Sequence, residues 1–464
     1  MVARYRFYSN SAWSIREMAS NLLRATFITF MAAVFLAPVA KAGQAGAVNL
    51  AKTGAYESSK VCSNCHAHLY NQFEQSMHAR AFANPVFQNQ VYNVLLPQVS
   101  GDPDTAHKAG SCLACHSPTT FLTQDQRLPA RDSLGESPPG VTCDFCHTTI
   151  GHRGLAPGNA NYIPSPGPIK YGPLKFASDW HREYSPFQRK SEACAVCHEA
   201  TNGQGVQIHT TYSEWKTSYW SRNGIECQDC HMSAAGRLIA GSPVFETGTV
   251  AAGTLLSPPT REQVFSHQFP GANVKSQLEG AVKLRVQSFP GKAKPSQTIF
   301  VGVELDNSEA GHSMPTGAIE LRLAWLDVRL RNQSSGQEWQ LKAKPNTRTR
   351  WDVAGLNPTD AALLGTEIAD GSRLYRAIVV DTEGQQTLNN WEAVDKVFDN
   401  RLKAGEVRRE MFRFTLPADA SGSLEAEVAL RYLRYPPGFV TRLGIAPADS
   451  VLMARTSRII KIAD

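Results

Sequence analysis

No cysteine in this chain is left over. The 464 residues hold ten, and all ten fall in five copies of one pattern: Cys62-Cys65-His66, Cys112-Cys115-His116, Cys143-Cys146-His147, Cys194-Cys197-His198 and Cys227-Cys230-His231. A disulfide framework needs cysteines that nothing else uses, and none remain. No basic run or aromatic-interleaved basic stripe occurs, and the net charge is only +6, so nucleic-acid binding has no support. After Ala42 no apolar stretch approaches the roughly 20 residues that a spanning helix takes. Hydrophobic residues make up 42% and charged residues 19%, which fits a globular chain and excludes a disordered one.

Each copy reads C-x-x-C-H, the attachment signature of c-type haem. The chemistry explains the spacing. Two thiols add across the two vinyl groups of the porphyrin, and one tight helical turn brings them to the same edge. The histidine that follows lies under the iron as its proximal ligand. A zinc ribbon would pair the motifs, but five leave one without a partner, and zinc does not demand a histidine after every second cysteine. A thioredoxin-like redox pair would stand alone beside a strand–turn–helix pattern. The sequence thus predicts five covalently attached haem c groups, with His66, His116, His147, His198 and His231 as proximal ligands.

The N-terminus reads as a secretion signal over residues 1–42. Arg4, Arg6, Arg16 and Arg24 form a positive region, Ala25 to Val39 is apolar, and Ala40-Lys41-Ala42 is an A-x-A cleavage site. Retention as an uncleaved anchor is the alternative. Export agrees with the haem reading, since c-type haem is attached outside the cytoplasmic membrane. The expected location is periplasmic or extracellular, and the cleaved protein is expected to be soluble.

A small, polar linker at 43–60 precedes a haem domain expected over 61–275. Leu69, Phe73 and Met77 recur at helical spacing and predict a helix from Ala67 to Phe82 that carries His78. Prolines and glycines crowd the loops between motifs, so this module should be loop-rich and mostly α, with the porphyrins forming much of its core. Thr211 to Arg222 should be helical, with Tyr212, Trp215 and Tyr219 on one face. After a transition through Phe265-Ser266-His267-Gln268-Phe269-Pro270-Gly271, alternating runs begin: Val282–Val286, Thr298–Leu305, Ile319–Leu330, Trp339–Lys342, Leu374–Val380, Arg408–Leu416, Leu424–Leu433 and Ser457–Ile462. Period-two patterning in short runs separated by turns predicts an all-β sandwich over 276–464, with a short helical insertion at Pro358–Leu364. No catalytic constellation stands out in it.

Thirteen histidines are present, and five are proximal. The others are His68, His78, His107, His152, His181, His209, His267 and His312. A low-spin iron needs a sixth ligand, so these are the candidates for distal positions. On a continuous helix His78 stands about 18 Å from His66, at about 1.5 Å per residue, and must serve a different haem. His267 and His312 each precede a proline-containing, glycine-closed turn, His312-Ser313-Met314-Pro315-Thr316-Gly317 being the second, which holds a ring outward from fixed backbone. His78, His181 and His267 are the first choices, then His312, with His152 or His107 as the fifth. His68 and His152 lie too near their own proximal histidines to share an iron with them, and His209 has no supporting context. Met77 and Met314, the methionine alternatives, read as packing residues.

Gly140-Val141-Thr142-Cys143-Asp144-Phe145-Cys146-His147 is similar to a haem motif of the cytochrome c-552/c-554-type multihaem family. So is Tyr212-Ser213-Glu214-Trp215-Lys216-Thr217-Ser218, which leads into Ile225-Glu226-Cys227-Gln228-Asp229-Cys230-His231-Met232. Gln75-Ser76-Met77-His78-Ala79-Arg80-Ala81 resembles that family's distal-histidine segment. The resemblance covers Val61 to Gly271 and the His312 turn. It implies an electron carrier, with redox proteins as donor and acceptor. Two departures weigh against catalysis: no C-x-x-C-K motif occurs, and the crosslinking tyrosine of hydroxylamine oxidoreductases has no evident equivalent. The rival readings are an oxidoreductase acting on a small nitrogen or sulfur compound at one five-coordinate haem, and a cytochrome subunit of an extracellular filament or outer-membrane conduit. Covalent loading is directly testable. The mature chain should weigh its polypeptide from about Gly43 plus five haems and keep its colour after denaturation; a mass with four haems, or haem released by acid–acetone, would end the pentahaem reading.

Overall fold

The backbone of each C-x-x-C-H motif closes into a helical turn. The His66 N–H donates to the Cys62 carbonyl at 2.8 Å, and the His116 N–H to that of Cys112 at 3.1 Å. The remaining three motifs lie within the helices Cys143–Thr148, Glu192–His198 and Cys227–His231. These helices are too short to persist alone, and local caps hold them. Thr142 Oγ1 accepts from the Phe145 N–H at 3.1 Å, and Glu226 and Asp229 form a reciprocal capping box. The computed structural model describes residues 54–101, 107, 109–131, 139–175, 183–253, 257–272, 274–346, 348 and 350–463. The leader, most of the linker and His181 lie outside the described residues.

Two expected helices are shorter than their periodicity suggests. The first spans Ala67–Glu74, not Ala67 to Phe82. Ser76 ends it: its N–H turns back to the Phe73 carbonyl at 2.8 Å, and its hydroxyl takes the Ala79 N–H at 3.2 Å, a local bond that competes with the helical ladder. His78 therefore stands on a turn, and its carbonyl accepts from the Ala81 N–H at 3.2 Å and from the distant Val141 N–H at 2.8 Å. The second expected helix is two, Thr211–Lys216 and Tyr219–Arg222. Ser218 caps the latter by accepting from the Ser221 N–H. The break turns Tyr219 outward while Tyr212 stays buried, so the three aromatics do not share a face.

Apolar packing in the haem region is local. Phe82, Phe87, Val91, Tyr92, Leu113, Leu122, Phe145 and Tyr162 form one cluster. Beyond Leu278 the chain is strand-rich. Leu323–Asn332 sits inside a six-stranded sheet, antiparallel to Ser423–Leu433, Glu338–Gln340 and Arg373–Tyr375. Ser423–Leu433 pairs in turn with Val451–Ile462, which carries Lys292–Ala293 on its other edge. Thr298–Asp306 is the middle strand of a second sheet, between Val407–Thr415 and Lys283–Ser288. Val301, Val303, Leu305 and Phe412 from this sheet share one core with Leu326, Val328, Leu330, Ala426, Val428 and Ile460 from the first. At about 25 cal/mol per Å² of buried apolar surface, such a core dominates the stability of the region. A third sheet joins Gln386–Thr387, Ala377–Val380 and Asp395–Asp399.

The expected strand Ile319–Leu330 begins later, at Leu323. Residues Ile319–Leu321 form a turn whose Ile319 is buried beside Val206 and Ile208 of the haem region. The expected run Leu374–Val380 is divided between two sheets. The helical insertion is present as Asp360–Leu363, and a further helix, Pro437–Arg442, was not expected. Val86, from the haem region, packs with Ala318, Leu321, Trp325 and Phe439. Among the described residues no helix is long and apolar enough to cross a membrane.

In the turn at 319–321, Glu320 is buried and its Oε2 has no hydrogen-bond partner. Burial pushes its carboxyl up to about 7, opposed by its own backbone N–H and by Arg322. The folded protein thus retains a proton that the unfolded chain releases at the ordinary carboxyl value. Stability attributable to this group is fully present below that value and is lost as pH rises toward about 7, on the order of 3 kcal/mol. Glu320→Gln should flatten the pH dependence of the denaturation midpoint between pH 5 and pH 8; an unchanged slope would contradict the assignment.

Candidate haem-binding sites

An imidazole that ligates a metal through one nitrogen is usually fixed by a hydrogen bond at the other. Four of the five motif histidines show this arrangement. His66 Nδ1 donates to the Val250 carbonyl at 2.6 Å, His116 Nδ1 to Ala81 at 3.2 Å, His147 Nδ1 to Tyr171 at 2.8 Å and His231 Nδ1 to Pro270 at 3.0 Å. A carbonyl only accepts, so the proton sits on Nδ1 and Nε2 keeps its lone pair. His267 and His312 are held the same way, by the carbonyls of Phe265 at 2.9 Å and Ser313 at 3.0 Å. Burial, the largest cause, lowers His231 and His267 to about 4 and His78 to about 3. These rings are neutral at pH 7, the form that binds a metal.

Three motif histidines face a second imidazole. His147 and His267 have ring centroids 6.3 Å apart at an interplanar angle of 21°. His231 and His312 stand 6.3 Å apart at 11°. His78 and His198 stand 6.1 Å apart at 77°. Two nitrogens bound on opposite sides of one metal, each at about 2 Å, leave ring centres about 6 Å apart. The spacing of all three pairs is that of two axial ligands with an iron between them, and the rings do not touch each other.

The other sequence candidates are placed differently. His68 is exposed and pairs with Glu246 at 2.6 Å. His107 is exposed. His152 lies on the strand Thr149–His152, its Nδ1 donating to the Arg153 carbonyl at 3.4 Å and its ring 6.5 Å from that of Phe187. Met314 belongs to the core of the strand-rich region. Thr316 does not bond within its own turn; it donates to Glu214 and meets Thr211. The residue that sequence reasoning passed over is His209. It ends the strand Gln207–His209 and bridges Ala318. Burial lowers it to about 3, aided by His198, Arg322 and His116, while the Gly317 backbone hydrogen-bonds its ring. The two threonines after it gave no motif, and Gly317, Ala318 and Arg322, which act on it, lie more than a hundred residues away.

The motifs are locked to one another in pairs. The Glu57 N–H donates to Asp144 Oδ2 at 2.7 Å, the Cys143 N–H to Ser59 Oγ at 3.2 Å, and Lys170 closes an ion pair with Asp144. These bonds join motif one to motif three. Glu226 Oε2 accepts from both the N–H and the hydroxyl of Ser191, which in turn accepts from the Cys227 N–H at 2.9 Å, joining motif four to motif five. Thiols that stand in for thioether sulfurs lie close to one another across motifs: Cys62 to Cys143, Cys115 to Cys197 and Cys194 to Cys227.

Comparison with known proteins agrees with this geometry. Residues 61–148 match the family model for cytochrome c554 and c-prime. Over that stretch the chain is similar to multihaem cytochromes of the c-554 type. Its fold is similar to that of a penta-heme cytochrome c552 from Thermochromatium tepidum, at 23% identity and a TM-score of 0.60, covering 88% of this chain and 99% of that one. Partial matches include a PapD-like domain of human CEP192 (11% identity, 40% of this chain, 88% of that one, TM-score 0.17) and the human F-spondin reeler domain (9%, 39%, 91%, 0.18); scores so low carry no argument. No curated protein matches.

The donor set fits haem c: paired thiols one turn apart, an imidazole beside them and, at three motifs, a second imidazole across the gap. Gly140 is part of the same fit. A Cβ there would lie 2.2 Å from the His78 carbonyl oxygen and 2.6 Å from that of Ala79, on the segment that aims His78 at His198. Gly140→Ala should therefore displace His78, destabilise the protein by at least about 1–3 kcal/mol, and convert one low-spin haem to high spin. Wild-type stability together with a wild-type spectrum would contradict this role.

Proposed function

We propose that this cytochrome is exported, holds five covalent haems through its ten motif cysteines, and carries electrons between redox proteins outside the cytoplasmic membrane. The observation that carries the reading is the set of three opposed imidazole pairs, His147–His267, His231–His312 and His78–His198. Haem bound at such sites supplies one-electron iron chemistry with both axial positions filled, the coordination suited to electron transfer. Protein groups do the remainder. Backbone carbonyls orient the rings of His147, His231, His267 and His312, and burial keeps His78, His231 and His267 neutral and raises the stake of every nearby charge. The nearness of Cys62 to Cys143, Cys115 to Cys197 and Cys194 to Cys227 would make haems held by motifs one and three, two and four, and four and five neighbours for electron transfer. The two sheets that share one core are read as the layers of a β-sandwich, with a haem domain over 61–275 before it.

A second reading, an oxidoreductase acting at one open haem, rests on His116 and His209. Among the described residues the ring stacked on His116 is Phe87, 4.1 Å away, and His209 is a half-buried imidazole in electrostatic reach of it. As a sixth ligand, His209 completes the electron carrier. As a ring facing an open iron, it would serve a small bound molecule. Cyanide or nitrite binding to a high-spin haem supports the second arrangement, and a fully low-spin spectrum the first.

The ligand assignments are tested one at a time. His267→Ala and His312→Ala should each convert one haem to high spin while covalent haem content stays at five, as read by electron paramagnetic resonance and intact mass. Low-spin spectra unchanged in either variant would reject that ligand.

A further inference from the structure

We propose that Glu214 is a positioning residue for His312, and that its charge sets the potential of the haem held by Cys227 and Cys230. This rests on the reading of His312 as that haem's distal ligand.

The peptide unit between His312 and Ser313 is held at both ends. Its carbonyl accepts from Asn307 Nδ2 at 3.1 Å, at the end of the strand Thr298–Asp306. Its N–H donates to Glu214 Oε2 at 3.1 Å. With the plane of this peptide fixed, and the ring tied by Nδ1 to the Ser313 carbonyl, the imidazole has one direction open to it, across from His231. Glu214 belongs to the helix Thr211–Lys216, which lies in the chain between motif four and motif five. A carboxylate of the haem region thus aims a ligand that the strand-rich region supplies.

The chemistry of the site requires a carboxylate. Glu214 Oε2 also accepts from Thr316 Oγ1 at 2.7 Å. Oε1 accepts from Thr210 Oγ1 at 2.6 Å and from Arg401 Nη1 at 2.8 Å. Four donors converge on two oxygens, which between them offer about four lone-pair sites. Glutamine would turn an NH2 group toward donors on one side, and aspartate is too short to span both. Arg401 is shared: it forms a two-pronged pair with Asp399, at 2.9 Å for each bond, and reaches the Pro315 carbonyl at 3.3 Å. Asp399 is paired in addition with Lys396 at 3.4 Å, so Arg401 and Lys396 together balance Asp399 and Glu214, and loss of the Glu214 carboxylate alone would leave an uncompensated positive charge beside the His312 turn. The Glu214 side chain is only 11% exposed, so water would screen that charge poorly. A fixed positive charge next to an iron favours the reduced state.

The test uses the full haem-loaded protein. Glu214→Gln should keep five covalent haems by mass, convert part of one low-spin haem to high spin, and raise the potential of that haem alone. The expected size is about a tenfold shift in its reduction equilibrium, which for one electron is about 59 mV. Thr316→Val removes one donor and leaves the charge, and should raise the high-spin fraction of the same haem without the rise in potential. His312→Ala is the control. If it leaves spectrum and potentials unchanged, the ligand reading itself fails. If it converts one haem while Glu214→Gln and Thr316→Val leave every potential and spin state unchanged, the ligand reading stands and the role of Glu214 is overturned. A lower melting temperature in Glu214→Gln with unchanged potentials would mean a merely structural residue and would also overturn it.

Discussion

An imidazole tied at one nitrogen by a carbonyl has only the other to offer, and can offer it in only one direction. That constraint is repeated at His66, His116, His147, His231, His267 and His312, and the remainder of the architecture serves it. The carbonyls are not spare loop groups. Ala81, which holds His116, lies three residues after His78, whose ring faces His198. Pro270, which holds His231, lies three residues after His267, whose ring faces His147. Each segment presents a ring to one motif and a carbonyl to another. The second and fourth sites are thereby tied through one turn, and the third and fifth through another.

Such double use explains why the region can be so poor in long helices. A haem protein of this kind orders short turns through ligands and cross-motif hydrogen bonds, and leaves little to propensity. Phe269 sits between the two distal segments, 4.7 Å from His78 and 5.6 Å from His267, edge-on to both. Its left-handed backbone, at φ 45°, is a strained conformation for a bulky residue, held by packing on two rings at once.

What the sequence disclosed follows from range. The C-x-x-C-H turns depend on five adjacent residues, and the motif is legible wherever it occurs. The turns after His267 and His312 were legible because proline and glycine constrain backbone locally. The strands of the C-terminal half were legible from alternation, with ends shifted by a few residues. Illegible features depend on distant partners. The segment beyond the helix after motif one is held as a turn by a distant partner, because Val141 donates to the His78 carbonyl and Gly140 lets it approach. His209 has two threonines after it, Thr210 and Thr211, and no local signal; its burial comes from Gly317 and Ala318. Glu214 carries an ordinary helical sequence, and nothing near it announces four converging donors.

Nearly half of the chain is strand-rich, and on the reading of His312 as a distal ligand that half has a physical purpose. A distal ligand must hold its place to a fraction of an ångström, and a loop closing on a haem region of short helices would not supply that stiffness. The His312 turn is instead suspended between Thr298–Asp306 and Leu323–Asn332, the middle strands of two sheets that bury their side chains in one core. Met314 inserts into that core and exchanges both backbone hydrogen bonds with Leu402, at 2.7 and 2.9 Å. The rigidity of a hydrophobic core packed without any cofactor is thus carried across two residues to an imidazole. On the other side Glu214 answers from the haem region. On the reading of His312 as the distal ligand of the fifth motif, the ring that completes that site stands on the sheets behind it.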